Sequence, residues 1–326
     1  MFNFNLLMEK KFVCMGSGQY IFDVIIVRKY PNGFVVGKKN EYVEETITED
    51  AAGTCGNVMC MLQHLGWTAQ PQVKLLDNEE GKLFKESLES FGCDTRYVKL
   101  DPEGGFYRLT CTHRKDNKTG EYKLSRRGSG PEGSIYPKVK PLRIKGVDEV
   151  TPFLASIDKV PDVYFFDTFD AGPRVIAENL RKRGSLIYFE AEKMDKLSTF
   201  MNSAKVADIV KFSNENVPDA SVCDTFTDKL CIQTLGSEGL RFKLRDGAWI
   251  KVPPMPVENV VDWEGCGDTT TAVFINELGK LGLPKIADLT EDKVRRALEK
   301  ACEKAAVCTQ YYGSKGWVYA EMKSKH

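Results

Sequence analysis

A chain of 326 residues with 46 Lys+Arg against 46 Asp+Glu carries no formal net charge, so no global electrostatic attraction draws it to nucleic acid or to an anionic membrane. Its 42% hydrophobic and 28% charged residues are ordinary globular usage and exclude disordered, collagen-like and membrane-spanning classes. The length suits two domains, or one large α/β domain that carries an insertion.

Residues 1–10 hold a short apolar run with neither a basic leader nor a small-residue cleavage site, and read as an N-terminal tail. A first buried strand is expected at 11–16 (KFVCMG). Residues 30–49, with Asn32-Gly33, and 96–125, with Thr119-Gly120, read as hairpins, because Tyr107, Leu109 and Cys111 alternate with Arg108, Thr110 and Thr112. Two such hairpins can pair into a small antiparallel sheet on the edge of a larger one, as a lid or a dimer surface. Between them Val58, Met61, Leu62 and Leu65 fall at i, i+3, i+4, i+7, the apolar stripe of a helix. Residues 126–160 are rich in Gly, Pro and basic side chains and read as a connector. Apolar runs at 163–166, 186–189, 208–212 and 230–234 read as buried strands, and Val294, Ala297, Leu298, Ala301, Ala305 and Cys308 continue a helical period. Strand and helix in alternation predict an α/β fold with three layers, a doubly wound and mostly parallel sheet covered on both faces.

The ten cysteines are scattered without a C-x-x-C pair, and His64, His113 and His326 stand at no zinc-ligand spacing. Reduced thiols, a cytoplasmic location and no structural zinc are therefore expected.

The chemistry concentrates in Asp262-Trp263-Glu264-Gly265-Cys266-Gly267-Asp268, which runs into a helix marked by Phe274, Leu278 and Leu281. Glycines there let the backbone turn tightly and leave the amides of Gly265, Cys266 and Gly267 open at a helix N-terminus, a ready anion site. A carboxylate beside a phosphate is repulsive unless it has work to do, and removing a proton from an attacking hydroxyl is such work. An ordinary Gly-rich turn with Asp268 as a helix cap is the other reading of these residues.

This segment resembles the C-terminal signature of the ribokinase-like (PfkB) carbohydrate kinases, D-T-x-G-A-G-D, with Trp263, Glu264 and Cys266 departing from it. The resemblance implies that Asp268 is the catalytic base and that Gly265, Cys266 and Gly267 form the anion hole. Ala52-Gly53-Thr54-Cys55-Gly56-Asn57 looks like the family's G-G-x-x-x-N helix start, with Ala52 in place of the first Gly, and Gly18 to Asp23 fits its G-x-x-x-x-D. By that resemblance Asp23, Gly53 and Asn57 hold sugar hydroxyls. Thr234-Leu235-Gly236-Ser237-Glu238-Gly239 is similar to the T-L-G-x-x-G that lies along the nucleotide. Lys211-Phe212-Ser213-Asn214 looks like the K-P-N that opens N-x-x-E, although Val217 stands where the Glu would be. Asn214, Thr234, Gly236 and Gly239 are thus the implied nucleotide contacts, while Glu190, near the family's D-x-N, matches too loosely to receive a role.

Arg126-Arg127-Gly128-Ser129 resembles the R-x-G-S of fructokinase-like and ketodeoxygluconate-kinase-like members, so Arg126, and Arg108 on the lid, are candidates for an anionic substrate group. A solvated basic loop is the alternative. The resemblance spans about residues 11 to 320. It implies ATP, Mg²⁺ carried by the nucleotide phosphates rather than by direct protein ligands, K⁺ near Asp262 and the loop at Gly313 to Gly316, a small sugar as acceptor and a homodimer through the lid. A nucleoside is an alternative acceptor, and a pseudokinase scaffold is the alternative suggested by the departures from the signature.

Overall fold

The computed structural model describes residues 11–33, 39–105, 108–116, 122–129, 148–192, 194 and 196–324. In chain order its elements are β1 (Val13–Ser17), β2 (Ile21–Tyr30), β3 (Val43–Ala52), α1 (Thr54–His64), β4 (Thr68–Leu76), α2 (Glu79–Ser90), β5 (Val98–Asp101), β6 (Arg108–Asp116) and β7 (Tyr122–Ser129). There follow α3 (Val150–Ala155), β8 (Val163–Phe166), α4 (Ala171–Lys182), β9 (Leu186–Glu190), α5 (Leu197–Val206), β10 (Ile209–Ser213) and β11 (Leu230–Thr234). The chain ends with β12 (Leu240–Leu244), β13 (Ile250–Val252), α6 (Cys266–Lys280), α7 (Glu291–Cys308) and α8 (Gly316–Ser324).

The central runs have no polar alternation because both faces of their sheet are covered; Val163, Tyr164, Phe165 and Phe166 are all fully buried. The sheet has the order β13-β12-β11-β10-β9-β8-β1-β4-β5, parallel from β11 to β5, with β12 and β13 added antiparallel at one edge. On one face Val58, Met61 and Leu62 of α1 pack with Phe274 and Leu278 of α6 and Val294 and Leu298 of α7. On the other, Ile176 and Leu180 of α4 meet Phe200 and Ala204 of α5. Each of these large side chains contributes about 1.5–3 kcal/mol by leaving water. The result is the expected three-layer, doubly wound architecture. From β1 the chain first adds β4 and β5 on one side and later β8 to β11 on the other, so the strand order reverses between β1 and β8. In open α/β sheets the crevice outside the carboxyl ends of the strands at such a point is where ligands bind.

The second sheet has the order β3-β2-β6-β7. Its two hairpins are antiparallel, and they join through a parallel pairing of β2 with β6. The hairpin expected at 30–49 is longer, running from Ile21 to Ala52, because β2 starts only three residues after β1 ends. Its turn at Asn32-Gly33 is closed by the Gly33 amide donating to the Tyr30 carbonyl at 3.2 Å. The second hairpin is shorter at its start than 96–125, since Val98 to Asp101 pair with Val73 to Leu76 of the main sheet, where Val98 is buried. The stretch 126–160 is not all connector: β7 continues to Ser129, and α3 covers Val150–Ala155. The tail 1–10, Tyr107 and the Thr119-Gly120 turn lie outside the described residues.

All ten cysteines are free thiols, nine of them buried. Among the described residues no helix is long and apolar enough to cross a membrane.

Candidate active site

Two helix N-termini converge above the carboxyl end of the main sheet. α6 opens on Gly265 in the left-handed region (φ +75°), where a Cβ would overlap the backbone of Ser314. No side chain caps this helix, and of its first-turn amides that of Cys266 donates to the Trp263 carbonyl at 3.4 Å; a helix N-terminus of this kind favours an anion. α1 opens on Gly53 (φ +80°), where a Cβ would lie 2.6 Å from the Gln19 carbonyl. In the first turn of each helix stand the two side chains that meet: Asn57 Nδ2 donates to Asp268 Oδ2 at 2.6 Å. Replacing Gly265 by Ala is expected to cost about 1–2 kcal/mol through the left-handed backbone alone. The overlap with Ser314 adds to this, and a lowered melting temperature checks it.

Lys211, 2% exposed in the middle of β10, donates to Glu190 Oε1 and to the Gly267 carbonyl at 3.1 Å. Glu190 Oε2 accepts from the Thr271 hydroxyl at 2.6 Å, so one carboxylate binds β9, β10 and α6 together. Burial, and then the Glu190 charge, push the Asp268 carboxyl up to about 6 against the pull of Asn57, Lys211 and Lys315. A carboxyl so shifted changes its charge close to neutral pH.

Beside it a cleft of about 280 Å³ is lined by Gln19, Thr54, Asp167, Glu190, Ala191, Glu192 and Asn216. These residues come from the loops after β1, β8, β9 and β10 and from the first turn of α1, at the reversal of strand order. Asp167 Oδ1 accepts from the Gln19 amide at 2.7 Å, and the Gln19 side chain donates to Glu192.

The structure therefore brings Gly53, Asn57, Gly265, Cys266, Gly267 and Asp268 into one place. The Cys266 thiol turns away and donates to the Ala305 carbonyl at 3.6 Å, while its amide donates to the Trp263 carbonyl at 3.4 Å. Asp23 is not among them. It is already the third residue of β2, opposite Asp50 on β3, and lines a separate narrow crevice with Asp50, Tyr312 and Lys315. There it is 8% exposed, its Oδ1 has no hydrogen-bond partner, and burial pushes its carboxyl well up against the pull of Lys315. Gln19 is the residue that the loop after β1 delivers to the cleft.

Arg108 and Arg126 are engaged elsewhere. Arg108 Nη2 lies 3.5 Å from Glu49 Oε1, with the guanidinium over the Phe22 ring, and Arg126 pairs with Glu264. Glu264 also accepts from the Cys111 thiol at 3.4 Å, so this departure from the signature ties the second sheet to the loop before α6. Asn214, Thr234, Gly236 and Gly239 cluster at the ends of β10 and β11, where the Asn214 amide donates to the Thr234 carbonyl at 3.0 Å and the Leu235 amide to the Gly239 carbonyl at 2.8 Å. Val217 is fully buried among apolar side chains and offers no charge, while its neighbour Asn216 faces the cleft.

Asp262 already accepts a hydrogen bond on each carboxylate oxygen. It is fully buried, its Oδ2 accepts from the Gly313 amide at 2.8 Å, its Oδ1 accepts from the Glu264 amide at 3.0 Å, and His113 Nε2 of the lid lies 3.3 Å from Oδ2. Among the described residues no group of three or more His, Cys, Asp or Glu side chains is placed to hold a metal ion. Sequence reasoning misses the parts of Gln19, Lys211, Glu190, Asp167, Glu192 and Lys315. The available signal is a charge inside or ending a buried apolar strand, as Lys211 does in IVKFS and Glu190 in LIYFE; such a charge must find a partner.

Residues 199–317 match the family model described as pfkB family carbohydrate kinase. No curated protein matches the chain by sequence at a significant level. Among solved structures, an uncharacterized sugar kinase from Pyrococcus horikoshii in complex with ATP is similar at a TM-score of 0.61 and 18% identity, over 94% of each chain. Aminoimidazole riboside kinase from Salmonella enterica, complexed with aminoimidazole riboside and an ATP analog, gives 0.61 and 16%, over 94% of this chain and 96% of that one. Ribokinase from Arabidopsis thaliana, complexed with ribose and ATP, gives 0.61 and 16%, over 93% and 94%.

Proposed function

Because the chain has the ribokinase-like fold and its residues 199–317 match the PfkB carbohydrate kinases, we propose that it is an ATP-dependent kinase that phosphorylates a hydroxyl of a small carbohydrate. The observation that carries this reading is Asp268, a half-buried carboxyl poised at about 6, in the first turn of a helix that no side chain caps. Asp268 takes the proton of the acceptor hydroxyl as that oxygen attacks the γ-phosphorus in line. The amides of Gly265, Cys266 and Gly267 offset the charge gathering on the transferred group. Lys211, held by Glu190 and bonded to the Gly267 carbonyl, fixes the loop that presents them.

Asn214, Thr234, Gly236 and Gly239 would hold the nucleotide. Mg²⁺ would be carried by the nucleotide phosphates and would supply neutralisation of their charge. Gln19, Thr54, Asp167 and Glu192 offer paired donors and acceptors to sugar hydroxyls, as a buried polyol requires. The lid sheet, moored by Arg126 to Glu264, covers the site and excludes water, which limits hydrolysis of ATP. Tyr42 and Val43, exposed at the outer edge of the lid, support pairing of two lids in a dimer.

An ionised base is required, so kcat/KM is expected to fall as the pH drops below about 6, where Asp268 takes up a proton. A panel of neutral sugars and nucleosides incubated with Mg-ATP tests the function itself. ADP release with at least one of them supports the reading, and stabilisation of the fold by ligands with no ADP from any would replace it with a binding scaffold.

A further inference from the structure

Asp268 owes its hydrogen bond to the way a neighbouring amide is turned. A side-chain amide has a donor end and an acceptor end of nearly the same shape, so which end faces a carboxylate is decided by what the other end meets. The Asn57 oxygen accepts from Lys315 Nζ at 2.9 Å and from the Ser314 hydroxyl at 2.9 Å. Turned over, the amide would set its NH₂ against an ammonium and its oxygen against the Asp268 carboxylate, two repulsions in place of three attractions. The ammonium makes this choice one-sided, because Lys315 can only donate, whereas a Ser hydroxyl can donate or accept.

Lys315 is itself held from outside the site. It is 2% exposed, and its Nζ lies 2.9 Å from Asp50 Oδ1, at the end of lid strand β3. The other oxygen of Asp50 accepts from the Tyr319 hydroxyl. Burial works against the Lys315 charge, but Asp50 foremost among the neighbouring groups keeps the ammonium above its ordinary value. A continuous polar chain therefore runs from Tyr319 through Asp50, Lys315 and Asn57 to Asp268. Its links come from α8, β3, the loop before α8, α1 and α6.

We propose that Lys315 is a positioning residue which, by fixing the Asn57 amide with its NH₂ toward Asp268, keeps that carboxylate ionised and aimed. The inference rests on the reading of Asp268 as the base. The other ionisable groups that act on Asp268 or respond to its charge are Glu190 on β9, Lys211 on β10, Asp23 on β2 and the thiols of Cys266 and Cys308. Glu190 opposes ionisation and Lys211 favours it, so removing Lys315 tilts a near balance.

The test is titration of the Asp268 carboxyl in the whole chain labelled with ¹³C-aspartate, the resonance being identified by its loss in Asp268→Asn. The unaltered chain is expected to titrate at about 6. Lys315→Met is expected to raise that value by about one unit, the scale of a lost donor and a nearby charge. Asn57→Leu should raise it similarly, and the two together should move it less than the sum of the single shifts. Because Lys315→Met strands the Asp50 carboxylate, the same titration is made on Lys315→Met/Asp50→Asn, which removes both charges. An unmoved titration in either folded variant, or single shifts that add in full, would overturn the proposal. The measurement needs no nucleotide or acceptor, so it can fail while phosphoryl transfer stands, whereas Asp268→Asn with full turnover would remove Asp268 as the base without altering the titration.

Discussion

Asp268→Asn is expected to lower phosphoryl transfer by about 10²–10⁴-fold, the range of a lost general base, with the fold intact. The amide is isosteric, keeps the helix start and can still meet Asn57, but it cannot accept the proton of an attacking hydroxyl. The sign of the stability effect separates this from simple unfolding. A carboxyl raised to about 6 in the folded chain binds its proton more tightly there than in the unfolded chain, so its contribution to stability is lost as the pH rises through about 6. An amide has no such penalty at neutral pH. The variant should therefore melt at the same temperature as the parent or higher at pH 7, while ADP release collapses. A variant that keeps its turnover would remove Asp268 from the mechanism.

Lys211→Met is expected to destabilise the protein by about 1–3 kcal/mol, because it leaves the mostly buried Glu190 carboxylate at the cleft without its ammonium partner, holding the Thr271 hydroxyl. Two further consequences follow from the same atom. The Gly267 carbonyl loses its donor, which loosens the loop that presents the amides, and Asp268 loses a charge that favours its ionised form. Urea denaturation reads the first effect. Lys211→Met/Glu190→Gln should recover much of the stability, since no unpaired charge remains, but not the activity. Equal loss of stability in the single and double variants would show that the ion pair is not the source of the cost.

The core strands were legible because a sheet covered on both faces needs uninterrupted apolar runs, and VYFF, LIYF and LCIQT are such runs with nothing else to be. The lid was legible as two hairpins but not in its limits. Val98 to Asp101 could extend either sheet by pattern, and only contact with Val73 and its neighbours assigns them to the large one. The parallel pairing of β2 with β6 joins segments more than 80 residues apart and leaves no mark in either.

In the site, the helix starts at Gly53 and Gly265 and the acid at Asp268 could be read from short motifs, since a tight turn into a helix demands glycine locally and an anion site demands free amides. The sequence by itself thus determined the fold class, the two helix starts and the candidate base. Tertiary structure alone decided who meets whom: Asn57 with Asp268 across 211 positions, Arg126 with Glu264 across 138, and Lys315 with both Asn57 and Asp50. It also put Gln19 in the cleft and Asp23 in the crevice beside Lys315. A buried charge or amide in a sequence states that a partner must exist, because desolvation without one is too costly. Which partner is settled only when the order of strands in the sheet brings distant turns to the same edge.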